Sequence, residues 1–506
     1  MRTRWVLVLI IATYVALATG YAIGTPRWQN PDEPAHYNYI RHLAEGRGLP
    51  VLQMGDYDAQ YLERLKAAGF PDDMPIDGVR YESYQPPLYY LLAAPVYLAT
   101  AGLGLDAQVL ALRLFSVALG AILLLVTYVV ARLAVGSPSR PPSIPPNPST
   151  LLRAGFGEVS EGAIALGATA FVAFLPMHTA MTAAINNDTL AELLLSALLG
   201  LMILRLGDRV APRRYAVLAG VLLGLALLTK VSIYQAVLLV TFVEFARWLR
   251  WRDARAAVTT AGTVLLVAAL LAAPWFARNA LVYGLTDLIG KGRHDAVVIG
   301  QLTTAEFVAQ HGLDRLAHDF LGTSFRSFWG QFGWMGLVLD SRVYLMLLAL
   351  SLTAGVGLLA FARSIAHRGS ATPVALLALT ILLALAAYLG YNVTLVQHQG
   401  RYLFPAIVPL GVFFALGLRE AWRRRTALVA AGALALILAV RLVTGLFSSG
   451  SGAFDVALWG GGAALLGGRS LLPGERAGTL AYTACFVALA LIDTWCLVGF
   501  VIPYFS

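Results

Sequence analysis

The stretch Trp5-Val6-Leu7-Val8-Leu9-Ile10-Ile11-Ala12-Thr13-Tyr14-Val15-Ala16-Leu17-Ala18-Thr19-Gly20-Tyr21-Ala22-Ile23-Gly24 carries no charge. At ~1.5 Å per residue, a helix of this length crosses the ~30 Å hydrocarbon core of a bilayer. Arg2 and Arg4 precede it, and no A-x-A-like cleavage site separates it from the polar residues that follow. It therefore reads as a retained first span and not as a removed signal peptide. Immediately beyond comes Asn30-Pro31-Asp32-Glu33-Pro34-Ala35-His36-Tyr37. Two adjacent carboxylates and a histidine thus stand at the exit of the first hydrophobic segment, where charge is costly and usually kept for a purpose.

Of 506 residues, 58% are hydrophobic and 13% charged, and the mean hydropathy is +0.70. A soluble fold of this size could not hide so much apolar surface. The class expected is an all-α polytopic membrane protein. About thirteen apolar runs suit a crossing of ~20 residues each. They begin near Trp5, Val109, Gly162, Leu190, Tyr215, Ser232, Val258, Val343, Pro373, Tyr402, Ala427, Phe454 and Thr479. Cys485 and Cys496 both lie in the last run. They are roughly 16 Å apart along a helix, too far to bridge, and read as core residues.

The formal net charge of +9 reports topology. Arginines cluster in alternate short loops, at Arg205–Arg214, Arg247–Arg255, Arg363–Arg368, Arg419–Arg425, and at Arg469 with Arg476. Arg132, Arg140 and Arg153 belong to the same side. The positive-inside rule places these loops and the N-terminus in the cytoplasm. The basic balance gives no reason to expect nucleic acid as a partner. Two long outer segments result, about 25–108 and 278–342. The apolar stretch from Pro86 to Leu105 is expected to lie at the outer interface, because Pro86, Pro87 and Pro95 weaken a full crossing. Tyr84, Tyr89, Tyr90 and Tyr97 would sit at headgroup level. The proline- and serine-rich loop 136–150 reads as a flexible linker.

Four groups of residues are candidates for chemistry. Asp32 and Glu33 suit either the start of a short helix, with Pro31 and Pro34 beside it, or a general base or metal ligand. Asn186-Asn187-Asp188 either caps the following helix or orients a substrate or cation. Lys230, one of three lysines, ends an apolar span at the same face. It either snorkels or meets a lipid phosphate. Gln397-His398-Gln399-Gly400-Arg401-Tyr402-Leu403-Phe404-Pro405 puts Arg401 at the head of a helix, where the dipole disfavours a cation unless an anion is near. His398 adds either a donor or a structural imidazole. Arg278, after Pro274-Trp275-Phe276, is placed similarly.

Taken in order, these features resemble the GT-C superfamily of membrane glycosyltransferases, and most closely its protein O-mannosyltransferase and aminoarabinose transferase branch. The resemblance rests on the acidic pair, on Gln85-Pro86-Pro87-Leu88-Tyr89-Tyr90, and on Arg113-Leu114-Phe115-Ser116. It continues through Asn187-Asp188, Leu227-Leu228-Thr229-Lys230 and Gly400-Arg401-Tyr402 with Pro405. It covers about residues 1–410, and 411–506 are expected to be accessory helices. Pro34 stands where the family carries a further polar residue, which leaves the role of Glu33 open.

The resemblance implies an inverting transferase at the outer face of a bacterial plasma membrane. Its donor would be a polyprenyl-phosphate sugar, and its acceptor a hydroxyl on a glycan, lipid or protein. Asp32 would be the base and Glu33 a second catalytic carboxylate. His36, Gln85, Asn187, Asp188, Lys230, Arg278, His398, Arg401 and Tyr402 would bind substrate. No cofactor is firmly implied, although Asp32, Glu33 and Asp188 are hard oxygen ligands that would suit a divalent cation. Two alternatives stand beside this reading. One is a lipid or sugar transporter. The other is a lipid-linked sugar polymerase or ligase that uses Arg293, His294, His311, Arg315 and His318 of the second outer segment.

Overall fold

A computed structural model describes residues 2–136, 148–365, 371–444 and 452–506. Most of the expected linker 136–150, with Arg140, and also Arg368, lies outside the described residues. What is described is almost wholly helical. The one sheet among the described residues is a hairpin that pairs Gln331–Phe332 with Leu337–Val338.

The first helix runs Arg2–Gly24. Tyr14, Ala18, Tyr21 and Ala22 turn inward, while Trp5, Leu9 and Ile23 face out uncovered. Large apolar side chains left bare on long helices are what a lipid solvent permits. Pro26 ends the helix, since it has no N–H to continue the ladder. Among the described residues, ten helices are long and apolar enough to cross a membrane, or eleven with one bent pair. All thirteen runs read from the sequence coincide with helices, but two fall short of that test. Pro212–Leu227 has only 16 residues. The glycine-rich stretch 452–471 is continuous helix that widens to a π turn at Val456–Gly460 and does not meet the hydropathy of a span. The bent pair is Glu161–Ala173 with Pro176–Thr182, which meet at 65°. Pro176 opens the second piece and sets the break.

Leu88–Thr100 is a separate 13-residue helix. At roughly 20 Å it is too short to cross, as its prolines suggested. Its tyrosines are placed differently from the expectation. Tyr89 and Tyr90 are fully buried in protein, the first against Ser116 and the second against His36. A phenol at headgroup level needs only water. These two find protein partners instead.

One continuous core runs from Ile10 to Val501, so residues on both sides of position 410 share it. A smaller cluster joins Ala349, Ala427, Leu434, Trp459 and Leu466. The helices Ser341–Ile365 and Ile407–Ala421 touch backbone to backbone. A Cβ at Gly417 would lie 2.2 Å from the carbonyl oxygen of Ala354, so only glycine allows the approach. The helix Asp188–Leu206 spans the bundle. Asp188 marks one end. Arg205, bonded through Nε to Glu244 at 2.9 Å, marks the other, roughly 26 Å away. The arginine-rich loops and the acidic pair thus sit at opposite ends.

Candidate active site

Pro31 fixes the backbone ahead of Asp32, and Pro34 pre-sets the first turn of the helix Glu33–Ala44. Asp32 itself takes a left-handed conformation, φ 67°. Its carbonyl accepts from the backbone N–H of Ala35 and His36. This tight turn sends the two adjacent carboxylates opposite ways.

Glu33 is fully buried. Its Oε1 accepts from Arg113 Nε at 2.8 Å and from the Ile185 N–H at 3.2 Å. Its Oε2 accepts from Arg113 Nη2 at 2.7 Å and the Trp28 N–H at 3.1 Å. No part of it faces open space. Asp32 keeps 30% of its side chain exposed. Its Oδ1 accepts from the Tyr81 hydroxyl at 2.8 Å, and its Oδ2 from Arg401 Nη2 at 2.9 Å. Burial works to raise its pKa. The Arg401 guanidinium outweighs that, with His36 and the Tyr81 hydrogen bond acting the same way, so the carboxyl stays below its usual range.

A second ion pair stands beside the first. Lys230 Nζ is 2.8 Å from Asp188 and also donates to Asn187 Oδ1 at 2.9 Å. Asn187 Nδ2 reaches the Thr229 carbonyl at 3.2 Å and the Tyr90 hydroxyl at 3.4 Å. The Tyr90 hydroxyl meets His36 Nδ1 at 2.9 Å. Tyr90 also stacks on Tyr39, with ring centroids 3.7 Å apart. His36 is buried and lies within the field of Lys230, Asp32, Asp188 and Arg401. Burial and then Lys230 push its pKa down to about 4, so at neutral pH it is an uncharged imidazole. Tyr402 packs against Arg401 and Tyr391.

Asp32, His36, Asn187, Asp188, Lys230, Arg401 and Tyr402 therefore converge at one end of the bundle. Gln85 lies at the rim, its Nε2 on the Tyr84 hydroxyl and its buried Oε1 without a partner among the described residues. Arg278 is turned elsewhere. It donates to the Pro50 carbonyl and to Asn279, between Trp275 and Tyr283, and so ties the first outer segment to its helix. His398 packs edge-on to Phe320 at 5.4 Å, and its buried Nε2 has no hydrogen-bond partner among the described residues.

Sequence reasoning missed Tyr81, Glu82 and Tyr90 as site residues, and missed Arg113 as the partner of Glu33. Tyr90 and Arg113 lay in quoted motifs. Tyr81-Glu82 carried no signal, because a tyrosine and a glutamate in a polar loop look like solvated surface. Burial and then the nearby Asp32 push the Glu82 carboxyl up to about 7. A carboxyl with a raised folded pKa stabilises the fold fully below its unfolded value near 4.3, and that contribution is lost as pH rises through 7. Glu82→Gln should flatten this slope. In thermal unfolding from pH 4.5 to 8, the parent should lose about 1–3 kcal/mol relative to the variant.

The donors do not fit a divalent ion. Asp32 and Asp188 each already face a cation, Glu33 is saturated by Arg113, and among the described residues no three His, Cys, Asp or Glu gather as ligands. An ion such as Ca²⁺ wants six or more oxygens, and Mg²⁺ a near-ideal octahedron.

A family described as a predicted membrane protein, DUF2142, matches residues 160–410. No curated protein matches the chain. Among solved structures, ArnT from Cupriavidus metallidurans bound to undecaprenyl phosphate is similar, with a TM-score of 0.53 and 15% identity over 99% of this chain and 78% of that one. An oligosaccharyltransferase from Archaeoglobus fulgidus, tethered with an acceptor peptide, gives 0.49 and 13% over 94% of this chain and 55% of its own. At 15% identity the likeness to ArnT shows the fold alone. The chain shares the all-α membrane-protein fold of that ArnT structure.

Proposed function

We propose that the chain is an inverting glycosyltransferase, acting on a polyprenyl-phosphate sugar at the outer face of a bacterial plasma membrane. The observation that carries this reading is the Asp32–Arg401 pair: a partly open carboxylate held ionised by a guanidinium, next to a second cation, Lys230. Asp32 takes the proton from an acceptor hydroxyl. The oxygen forms a bond to the anomeric carbon from the face opposite the lipid phosphate. The carbon–oxygen bond to that phosphate breaks, and the electron pair leaves on polyprenyl phosphate. Arg401 and Lys230 receive the charge, and preorganised charge of this kind is often the largest catalytic contribution.

The resting pairs suit such a cycle. While Arg401 holds Asp32, the carboxylate is a poor base. An arriving phosphate competes for Arg401 and restores the basicity of Asp32, so the base is freed only with donor present. Glu33 supports the turn and does not meet substrate. His36, uncharged, orients Tyr90 and through it Asn187. In this reading the base and the phosphate-binding charges all lie within residues 1–410, and the arginine-rich loops and N-terminus face the cytoplasm. The acceptor is a glycan, lipid or protein hydroxyl.

The test is sugar release from a radiolabelled polyprenyl-phosphate sugar panel by protein in nanodiscs. Turnover with at least one donor supports the reading, and no release with any of them overturns it. Arg401→Gln should lower turnover by about 10²–10³-fold. Unchanged turnover would remove Arg401 from the phosphate.

The polymerase alternative finds less support. Arg293 is engaged by the Leu52 carbonyl, and Arg315 and His318 both bind Asp319 on an exposed helix. A transporter would want its charges near mid-bundle, whereas these gather at one end.

A further inference from the structure

A chain of side-chain hydrogen bonds runs outward from the Asp32–Arg401 pair. Arg401 Nε donates to Gln399 Oε1 at 2.7 Å. Gln399 Nε2 donates to Gln397 Oε1 at 2.8 Å, and Gln397 Nε2 to Gln301 Oε1 at 3.1 Å. The Gln301 amide lies beside the Tyr57 hydroxyl. The Tyr57 ring stands edge-on to Tyr81 at 5.5 Å, and the Tyr81 hydroxyl returns to Asp32. Three amides thus complete a circuit that starts and ends at the carboxylate. Tyr57 comes from the first outer segment, Gln301 from the second, and Gln397 and Gln399 from the loop after the helix Ala371–Thr394. The transfer step described above uses none of the three amides.

The loops do not need these amides to hold together. Val396 donates its backbone N–H to the Leu302 carbonyl at 3.0 Å, Thr303 pairs with Leu395, and the Thr304 hydroxyl reaches the Asn392 carbonyl at 2.8 Å. This pairing sets Gln301 against Gln397 and leaves all three amides part-exposed. An amide offers two N–H donors and two carbonyl lone pairs. Among the described residues, Gln397 and Gln399 each spend one N–H and one lone pair along the chain, so each keeps one of both. Part-exposed rings stand at the two ends. Tyr402 packs on Arg401 and, at 5.7 Å, on Tyr391, while Tyr391 and Tyr57 both lie within the field of Asp32.

We propose that this amide chain binds the acceptor as a neutral sugar and holds one of its hydroxyls at Asp32. The inference rests on the transferase reading and names its acceptor class. A sugar hydroxyl both donates and accepts, and the spare N–H and lone pair of an amide answer both. Successive amides suit the successive hydroxyls of a ring, and the tyrosines offer their apolar bodies to its C–H faces. From Gln399 to Gln301 the chain carries no charge, so a carboxylate, phosphate or ammonium on the acceptor finds no partner there. Position separates acceptor from donor. The circuit closes on both oxygens of Asp32, through Arg401 on one and Tyr81 on the other. Lys230 and Asp188, which stand where the lipid phosphate is received, pair with each other outside it.

The test uses full-length protein in nanodiscs with a panel of neutral methyl glycosides. Saturation-transfer NMR reads binding, and labelled donor reads turnover in the same preparation. At least one glycoside should bind. Gln301→Ala and Gln397→Ala should each weaken it about three- to tenfold, the worth of one hydrogen bond, and raise KM more than they lower kcat. A loosened loop would also weaken binding, so Gln397→Glu is the deciding variant. It keeps the shape of the side chain, and Gln301 can turn its amide to meet it. Preference should then pass from the neutral glycoside to its amino-sugar counterpart, a reversal that a merely structural amide does not produce. No neutral glycoside bound by the parent, binding indifferent to all three variants, or unchanged preference in Gln397→Glu would each overturn the proposal. So would variants that change donor affinity and leave glycoside binding alone, which would assign the amides to the donor sugar. Donor turnover without glycoside binding would sink the amide site and leave the transferase standing. Glycoside binding that follows the variants, without turnover of any donor, would keep a sugar site and sink both the transferase and the acceptor role.

Discussion

Asp32→Asn is expected to reduce turnover by about 10²–10⁴-fold, the usual worth of a positioned base, while the protein still folds and binds donor lipid. The amide keeps the shape of the carboxylate and still accepts from Tyr81. It cannot take a proton. It also releases Arg401 from an ion pair, so donor affinity should hold or rise. Loss of turnover with donor binding retained is the signature, read with labelled donor by single-turnover release and by equilibrium binding. Full turnover in the variant would remove Asp32 from the chemistry. Loss of donor binding would mean that the residue serves the lipid site and not the proton transfer.

Arg113→Ala should be the most damaging change to stability. All five guanidinium N–H groups are engaged: two by Glu33, and the rest by the carbonyls of Ala22, Thr25 and Pro26. The side chain is 3% exposed and its partner is wholly buried. Removing one member of a buried pair costs about 3–5 kcal/mol, because the other charge is left without compensation. The expected result is loss of monodisperse protein in detergent, or a melting temperature many degrees lower. Glu33→Met combined with Arg113→Leu should recover part of the loss, since removing both charges avoids the stranded one. A single variant that melts like the parent would show that the pair does not hold the turn.

These two expectations fall on neighbouring carboxylates, and the sequence could not separate them. Asp32-Glu33 reads as one acidic pair until the partner of each is known. Arg113 lies 80 residues from Glu33 and Arg401 lies 369 from Asp32, distances over which spacing says nothing. The apolar runs were legible because a membrane span declares itself locally, by length and hydropathy. So was the common face of Asp32, Asp188, Lys230 and Arg401, since counting spans fixes which loops share an end. Two of the runs, at Pro212–Leu227 and 452–471, form helix but do not reach the length and hydropathy of a full span by themselves. Arg278 and His398 passed the same test of position. They fail to join the cluster because a loop can place a side chain on the right face and still aim it at Pro50 or Phe320. Glu82 was illegible for the opposite reason: its loop looks solvated until the fold closes over it.

Tyr21 and Asp493 meet at 2.9 Å inside the bundle, and Thr179 holds the other carboxylate oxygen at the same distance. The partners are separated by 472 residues. At ~5–20 residues per second of synthesis, the first helix waits on the order of half a minute or more for its partner to be made. Until then its phenol, and the Thr179 hydroxyl, must be kept company by lipid headgroups, water or an insertion factor. This contact therefore closes only after Asp493 is made, later than the acidic turn, whose partners Arg113 and Arg401 are already in place in the chain.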